Sequence, residues 1–158
     1  MKKFLLTCVC LFSISAESAE VIGFRGKNEA FDQQAFQEYA QRQGLKPIEL
    51  SASQVAQALK HIQQSQGSYQ LYGFSLGAQA VRQVLAHQHR NGLKMPQAVV
   101  TIGAYKTVDV DFAKYGVPFV NYFDDSGLGN KSPGIFLRIP HLQMQQKVNE
   151  IHQQSISR

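Results

Sequence analysis

Short apolar segments alternate with amphipathic segments along most of this chain, and this alternation constrains its fold more than any other feature of the sequence. Six segments have the length and the apolar, partly β-branched composition of strands: residues 20–24, 46–50, 69–74, 98–102, 117–123 and 135–139. Four longer segments repeat apolar residues at helical spacing: residues 28–43, the stretch from a capping serine (Ser51 or Ser53) to Gly67, residues 76–90 and residues 141–153. Residues 105–115 fit either a short helix or an irregular connection. Strands that alternate with helices predict an α/β fold of about six mostly parallel strands, with helices on both faces of the sheet.

The first 18 residues are typical of an export signal rather than of a folded domain. Lys2 and Lys3 give a basic start, and residues 4–14 form an apolar run too short to span a bilayer. Residues 16–18, Ala-Glu-Ser, fit a cleavage site. We therefore expect residues 1–18 to be a signal peptide, residues 19–158 to form one domain, and the mature chain to be periplasmic or secreted. An uncleaved N-terminal anchor is the alternative, whereas the residues before Cys8 fit a lipoprotein signal poorly.

Both cysteines, Cys8 and Cys10, lie inside this segment, so the mature chain would contain none. That excludes disulfides, a thiol nucleophile and a cysteine-based zinc site. The formal net charge of +5 is modest, and no basic run is interleaved with aromatic residues, which argues against nucleic-acid binding. The charge is compatible with peripheral contact with anionic lipid or cell-wall surfaces, although solubility alone explains it.

Residues 73–77 read Gly-Phe-Ser-Leu-Gly and match G-x-S-x-G, in which a serine lies on a sharp turn between a strand and a helix. The pattern is short, but here it directly follows a predicted strand and opens a predicted helix. Flanking glycines let strand and helix pass closely, and the turn strains the serine backbone. This context predicts that Ser75 is a nucleophile at the carboxyl end of the sheet. An idle serine in a glycine-flanked turn is the alternative.

A nucleophilic serine needs a general base, and His141 has the position expected of one. It alone among the five histidines follows a predicted strand and enters a helix, which places it at the carboxyl edge of a parallel sheet. The others lie within or at the ends of predicted helices: His61, His87, His89 and His152. A surface histidine at a helix start is the alternative interpretation of His141.

The acid that orients the base is expected after a late strand. Asp124 and Asp125 directly follow the fifth predicted strand, and one of them is predicted to bond the His141 ring and stabilise its protonated form. Asp109 and Asp111, after the preceding strand, are the alternative pair.

Two backbone N–H groups are expected to bind the oxyanion that develops during acyl transfer. The Leu76 N–H lies in the first turn of the helix after Ser75, where it has no intrahelical acceptor. The second donor is expected from Lys27 or Arg25, because Gly26 permits a tight turn after the first strand. An ordinary glycine turn before a helix is the alternative.

These motifs resemble the α/β-hydrolase superfamily over essentially all of residues 19–158: Gly-Phe-Arg-Gly at 23–26, the serine turn, an aspartate after a later strand and a histidine before the last helix. The resemblance implies acyl transfer on esters, thioesters or amides through a serine-bound acyl group, without a cofactor. The chain departs from many members: Arg25-Gly26 replaces His-Gly, the family's first two strands have no counterpart, and no insertion is long enough for a lid domain. We therefore expect a minimal α/β-hydrolase, similar to small lipases and cutinases, that hydrolyses a small-molecule or lipid carboxylic ester at an open site.

Two other functions are compatible with parts of the pattern. A catalytically inactive hydrolase-like domain that serves as a binding or scaffolding module is the first, and the short chain favours it slightly. A flavodoxin-like domain that binds phosphate at its βα loops is the second, although the sequence contains no G-x-G-x-x-G or P-loop pattern.

Overall fold

The computed structural model of the protein describes residues 19–26, 31–105, 108, 111–125 and 134–156. The predicted signal peptide at residues 1–18 lies outside these ranges. Within them, no helix is both long enough and apolar enough to cross a bilayer.

Strands and helices alternate along the described residues. The strands are β1 (Glu20–Arg25), β2 (Lys46–Ser51), β3 (Tyr69–Phe74), β4 (Val99–Ile102), β5 (Phe119–Phe123) and β6 (Ile135–Phe136). The helices are α1 (Gln33–Arg42), α2 (Val55–Gln64), α3 (Gly77–Arg90) and α4 (Met144–Ile156). Single turns of 3-10 helix lie among the described residues at Ala113–Tyr115, before β5, and at His141–Gln143, directly before α4.

The sheet confirms the predicted α/β architecture, since its six strands are all parallel in the order β2-β1-β3-β4-β5-β6. The chain first adds β2 on one side of β1, and then adds β3 to β6 on the other side. The strand order therefore reverses between β1 and β3. In open α/β sheets such a reversal leaves a crevice beyond the carboxyl ends of the two strands, which is where ligands bind.

Helices cover both faces of the sheet, as expected. The layer beneath α1 and α4 includes Phe36, Tyr39, Tyr72, Phe74 and Met144. The layer beneath α2 and α3 includes Ile22, Leu71, Ala78, Val81 and Leu85. Successive strand residues point to opposite faces, so a strand covered on both faces is apolar at nearly every position, as in the segment Val99–Ile102.

Several elements are shorter than their sequence patterns suggest, and α1 and β6 are two of them. The helix expected from residue 28 begins at Gln33, because Asp32 acts as its N-cap and accepts the Ala35 N–H through Oδ1 at 2.9 Å. The strand expected over residues 135–139 forms ladder pairs only at Ile135 and Phe136, on the outer edge of the sheet.

The prediction that Ser51 or Ser53 caps α2 is wrong. The N-cap residue of α2 is Gln54, whose side chain caps no backbone N–H of the helix and instead donates through Nε2 to Oε1 of Gln57 at 2.8 Å. Ser51 still belongs to β2, and its hydroxyl bonds that of Ser53 at 2.8 Å. Between residues 105 and 115, the described part of the connection contains the 3-10 turn Ala113–Tyr115.

Candidate active site

Ser75 lies on a strained turn between β3 and α3. Its φ is 55°, and it is the one non-glycine residue with positive φ in the described part of the chain. A left-handed conformation costs a residue with a Cβ about 1–2 kcal/mol, so the surrounding structure must hold it in place. One such restraint is the Ser75 N–H, which donates to the Ile102 carbonyl at the end of β4 at 2.8 Å.

The glycines on either side of this turn are required by close packing. A Cβ on Gly77 would collide with the carbonyl oxygen of Phe24 on β1, and a Cβ on Gly73 would lie 2.9 Å from Cα of Ala78. The helix can therefore start directly against the sheet only because both positions lack a side chain. Leu76 is the N-cap residue of α3, where backbone N–H groups have no acceptor within the helix.

The Ser75 side chain adjoins Gly26 in the crevice between β1 and β3. A Cβ on Gly26 would lie 2.9 Å from Ser75 Cβ and 3.3 Å from Ser75 Oγ, so the missing side chain leaves room beside the hydroxyl. Ser75 is 4% exposed, and a substrate carbonyl must enter the crevice to reach it. Of the two candidates for the second oxyanion donor, Lys27 lies outside the described residues, and the Arg25 side chain pairs with Glu49 at 3.4 Å.

His141 opens the 3-10 turn before α4, and its ring packs over the ends of β3 and β4. The ring centroid lies 5.0 Å from that of Phe74, the residue before Ser75. Gly103, which follows β4 with a φ of 63°, lies so close to the imidazole that a Cβ would be 2.6 Å from its Cε1. Tyr105 stacks on the ring, with centroids 5.7 Å apart and an interplanar angle of 23°. The imidazole is therefore confined at the same edge of the sheet as Ser75.

Asp124 and His141 form a hydrogen-bonded pair at this edge. Asp124 directly follows β5, is 4% exposed, and its Oδ2 lies 2.6 Å from Nδ1 of His141. An Nδ1–H that donates to the carboxylate leaves the lone pair on Nε2, which is the tautomer of a general base. Nε2 is buried and has no hydrogen-bond partner among the residues that the structure describes. Because a buried acceptor normally finds a partner, the site is suited to receive a hydrogen-bond donor at Nε2.

Ser75 and His141 share this edge but are not hydrogen-bonded to each other, since Nε2 of His141 has no partner. They are linked through the backbone instead, because Ser75 N–H bonds Ile102 and the next residue, Gly103, contacts the imidazole. Catalytic hydrogen bonds are often long in substrate-free proteins and tighten when substrate binds. The structure thus brings Asp124 to His141 and leaves the contact with Ser75 open.

The other candidate acids are exposed or lie outside the described residues. Asp125 is exposed. Asp111 is also exposed, and its Oδ1 accepts the Ala113 N–H at 3.2 Å at the start of the 3-10 turn. Asp109 lies outside the described residues.

The remaining histidines lie in helices, as the sequence predicts. The ring of His61 bonds Glu20 at 2.6 Å, and Glu20 begins β1 at the opposite, amino edge of the sheet. His152 lies far along α4, where its Nε2 is 2.8 Å from the Tyr122 hydroxyl and burial lowers its pKa. The last turn of α3 holds the other two, His87 and His89. Among the described residues, no group of three or more His, Cys, Asp or Glu side chains is placed to share a metal ion.

The sequence does not predict that Gly103 and Tyr105 contact the imidazole. Their signal in the sequence is weak: they follow the end of a strand, as Ser75 and Asp124 do. Tyr105 is 38% exposed and Leu142, the residue after His141, is 65% exposed, so apolar surface borders the candidate base.

Comparison with models of known protein families gives no match, and comparison with curated proteins gives none. Solved structures do match. YbtT, a type II thioesterase from the yersiniabactin NRPS/PKS biosynthetic pathway, aligns with a TM-score of 0.58 and 10% identity, over 91% of this chain and 93% of that chain.

Two further thioesterases match in the same way. RedJ, the thioesterase of the prodiginine biosynthetic pathway in Streptomyces coelicolor, gives a TM-score of 0.53 and 14% identity over 89% of this chain and 92% of its own. The NocB thioesterase domain was solved as a covalent complex with a fluorophosphonate nocardicin G analog. It gives a TM-score of 0.56 and 9% identity over 84% of this chain and 89% of its own. Similarity at this level of identity establishes the fold.

Proposed function

We propose that this chain, which has the α/β-hydrolase fold, is a serine hydrolase that cleaves a carboxylic ester through Ser75, His141 and Asp124. The observation that carries the proposal is the 2.6 Å contact between Asp124 Oδ2 and His141 Nδ1, at the same edge of the sheet as a strained, buried serine. The three residues follow β3, β6 and β5, and the carboxyl ends of parallel strands meet at one edge. A nucleophile, a base and an orienting acid gathered in this way are what acyl transfer requires.

In the first step, Ser75 Oγ attacks the ester carbonyl while Nε2 of His141 takes the hydroxyl proton. The Asp124 carboxylate holds the imidazole in the required tautomer and stabilises the imidazolium that forms. The tetrahedral intermediate then collapses. His141 returns the proton to the departing alcohol, and the acyl group remains on Ser75.

The second step removes the acyl group. A water molecule gives a proton to Nε2 of His141 and attacks the acyl-enzyme, and the proton returns to Ser75 Oγ as the carboxylic acid leaves. In both steps the negative oxygen requires donors, which we assign to the N–H of Leu76 and to that of Lys27. The space beside Ser75 Oγ left by Gly26 is consistent with an oxyanion at this position.

Apolar surface beside the base supports an apolar acyl or alcohol group in the substrate. Tyr105 stacks on the His141 ring and is partly exposed, and Leu142 is largely exposed next to it. A small-molecule or lipid ester fits this border. The net charge of +5 falls to +4 when Lys2, Lys3 and Glu17 are removed with residues 1–18, and it still fits peripheral contact with an anionic surface. We also propose that the chain acts outside the cytoplasm, after removal of residues 1–18.

A thioester is the second candidate substrate, because the similar solved structures are thioesterases. The same three groups would cleave it by the same steps, with a thiol as the leaving group in place of an alcohol. Matched oxygen and sulfur esters of one fatty acid distinguish the two candidates, and a higher kcat/KM for the sulfur ester would assign the protein as a thioesterase.

The test of the proposed function is covalent labelling with a fluorophosphonate probe, read by intact mass and peptide mapping. We expect one probe per chain on Ser75, and we expect Ser75→Ala to abolish it. Ser53→Ala is the matched control, because Ser53 is exposed at the start of α2 and should not affect labelling. A folded chain that resists the probe would defeat the proposal.

The same preparation tests the alternative that the domain is inactive and serves as a binding module. Hydrolysis of a p-nitrophenyl ester should copurify with the folded chain and disappear in His141→Ala. Turnover that is equal in wild type and His141→Ala would support the inactive module and assign the residual hydrolysis to a contaminant.

A further inference from the structure

One fully buried side chain of α4, that of Gln145, takes no part in the steps proposed above. It lies four residues after His141, in the first turn of the helix, and is 0% exposed. An amide in this position must satisfy its own donors and acceptor within the protein.

The Gln145 amide does so by pairing with residues from two other elements. Its Oε1 accepts the Asp32 N–H at 2.7 Å. Its Nε2 donates to the Asp32 carbonyl at 3.3 Å and to the Tyr72 hydroxyl at 3.0 Å. The neighbouring Gln146 adds a bond from its Nε2 to Asp32 Oδ2 at 2.9 Å.

These two partners belong to the other parts of the candidate active site. Tyr72 is a fully buried residue of β3, three positions before Ser75. Asp32 caps α1 and ends the connection that begins at Gly26 beside the serine and contains Lys27. One buried amide therefore joins the helix that follows His141, the strand that leads to Ser75, and the end of the connection assigned to the oxyanion.

We propose that Gln145 is a positioning residue that fixes the imidazole of His141 relative to Ser75 and to Asp32, the N-cap of α1. The inference rests on the proposed function, since it concerns the geometry of the same reaction. Removing the amide leaves the Asp32 N–H and the Tyr72 hydroxyl without their partner in the core. The first turn of α4 then keeps the bond from Gln146 to Asp32 but loses the three bonds of Gln145, and the imidazole shifts with it. A shift of about 1 Å can lower the rate of a reaction on the order of 100-fold.

Asn149 provides a matched control one turn further along α4. It is also buried, and its Nδ2 donates to the Ala35 carbonyl of α1 at 2.7 Å. Asn149→Leu therefore removes a buried bond from the same helix–helix interface, but none from Asp32 or Tyr72.

The experiment compares Gln145→Met with Asn149→Leu by melting temperature, by kcat and KM on a p-nitrophenyl ester, and by the rate of fluorophosphonate labelling. Both variants should have a lower melting temperature than the wild type. Well below both melting temperatures, Gln145→Met should lose kcat and labelling rate by roughly 10- to 100-fold with KM changed by less than about threefold. Asn149→Leu should keep kcat within about threefold. Equal kcat losses in the two variants, or an unchanged kcat in Gln145→Met, would overturn the inference.

Tyr72→Phe keeps the test decisive if Gln145→Met does not fold, because it removes only the hydroxyl that Gln145 holds. A lower kcat at unchanged KM supports the positioning role, and an unchanged kcat refutes it. A wild-type chain that the probe does not label defeats the proposed function and this inference together. A labelled wild type with unaffected variants defeats the inference alone.

Discussion

Replacing Gly103 by alanine should misplace the imidazole of His141 while the sheet and helices stay formed. Gly103 follows β4, and a Cβ on this residue would point into the imidazole ring, with the sulfur of Met144 next nearest at 3.3 Å. The substitution adds a single methyl group at the point where the ring is confined. It therefore probes the position of the base without changing any group that takes part in the proposed chemistry.

The size of the effect follows from the contact distances. The new Cβ would lie 2.6 Å from Cε1 and 3.0 Å from Nδ1 of His141, whereas carbon atoms in contact lie about 3.5–4.0 Å apart. The ring must therefore retreat by roughly 1 Å, which strains its 2.6 Å hydrogen bond to Asp124 and moves Nε2 relative to Ser75. A displacement of this size should lower kcat about 100-fold. The φ of 63° adds a folding cost of about 1–2 kcal/mol for a residue with a Cβ.

Gly92→Ala separates the steric effect from the backbone strain. Gly92 has a φ of 59° in the turn after α3, and a Cβ there would meet nothing within 4 Å. Both variants should lose thermal stability through the strained backbone, Gly103→Ala at least as much as Gly92→Ala because of its added clash. Only Gly103→Ala should lose kcat on a p-nitrophenyl ester and fluorophosphonate labelling rate. Wild-type kcat in Gly103→Ala, or the same kcat loss in Gly92→Ala, would refute the assignment of His141 as the base.

Three further predictions follow from single residues. Asp124→Asn should lower kcat by roughly 10³- to 10⁴-fold, because the carboxylate that holds the His141 imidazole in the tautomer with a lone pair on Nε2 is lost. The matched variant of the exposed neighbour, Asp125→Asn, should change kcat less than about threefold. Equal losses of kcat would contradict the assignment of Asp124 as the acid. Burial lowers the pKa of His152 from 6.5, so the unfolded state binds more protons below that pH. Thermal stability should therefore be full above about pH 6.5 and fall as the pH drops toward the folded-state pKa, and His152→Gln should flatten this dependence in melts; an unchanged slope would exclude His152 as its source. An exported chain should begin near Ala19 by intact mass, and a mature protein that retains Met1 would contradict the cleaved signal peptide.

The order and type of the elements can be predicted from the sequence because each segment carries one clear periodicity. Residues 69–74 are apolar enough to be a strand buried on both faces, and Gly73 and Gly77 mark the turn that follows. The start of α1 is less predictable, because Asn28 and Asp32 are both able to cap a helix. Tertiary contacts decide the matter, since Gln145 and Gln146 of α4 bind Asp32.

The choice between Asp124 and Asp125 depends on a fact that the sequence does not contain. Residues alternate between the two faces along a strand, so Asp124 is in phase with Tyr122, which lies beneath α4. The sequence does not say which face α4 covers, and only that placement brings His141 to Asp124. The burial of Gln145 is equally hard to predict, because it is one of many glutamines in helices and only the packing of α4 shows that its side chain is buried.

The most direct test of the account is the distance between Ser75 Oγ and His141 Nε2 in a crystal structure of the chain with a phosphonyl group bound covalently to the serine. We expect about 2.6–3.2 Å, with the phosphonyl oxygen within reach of the Leu76 N–H. An imidazole that stays beyond hydrogen-bond reach, or a phosphonyl group on a different residue, would contradict a catalytic role for these two side chains.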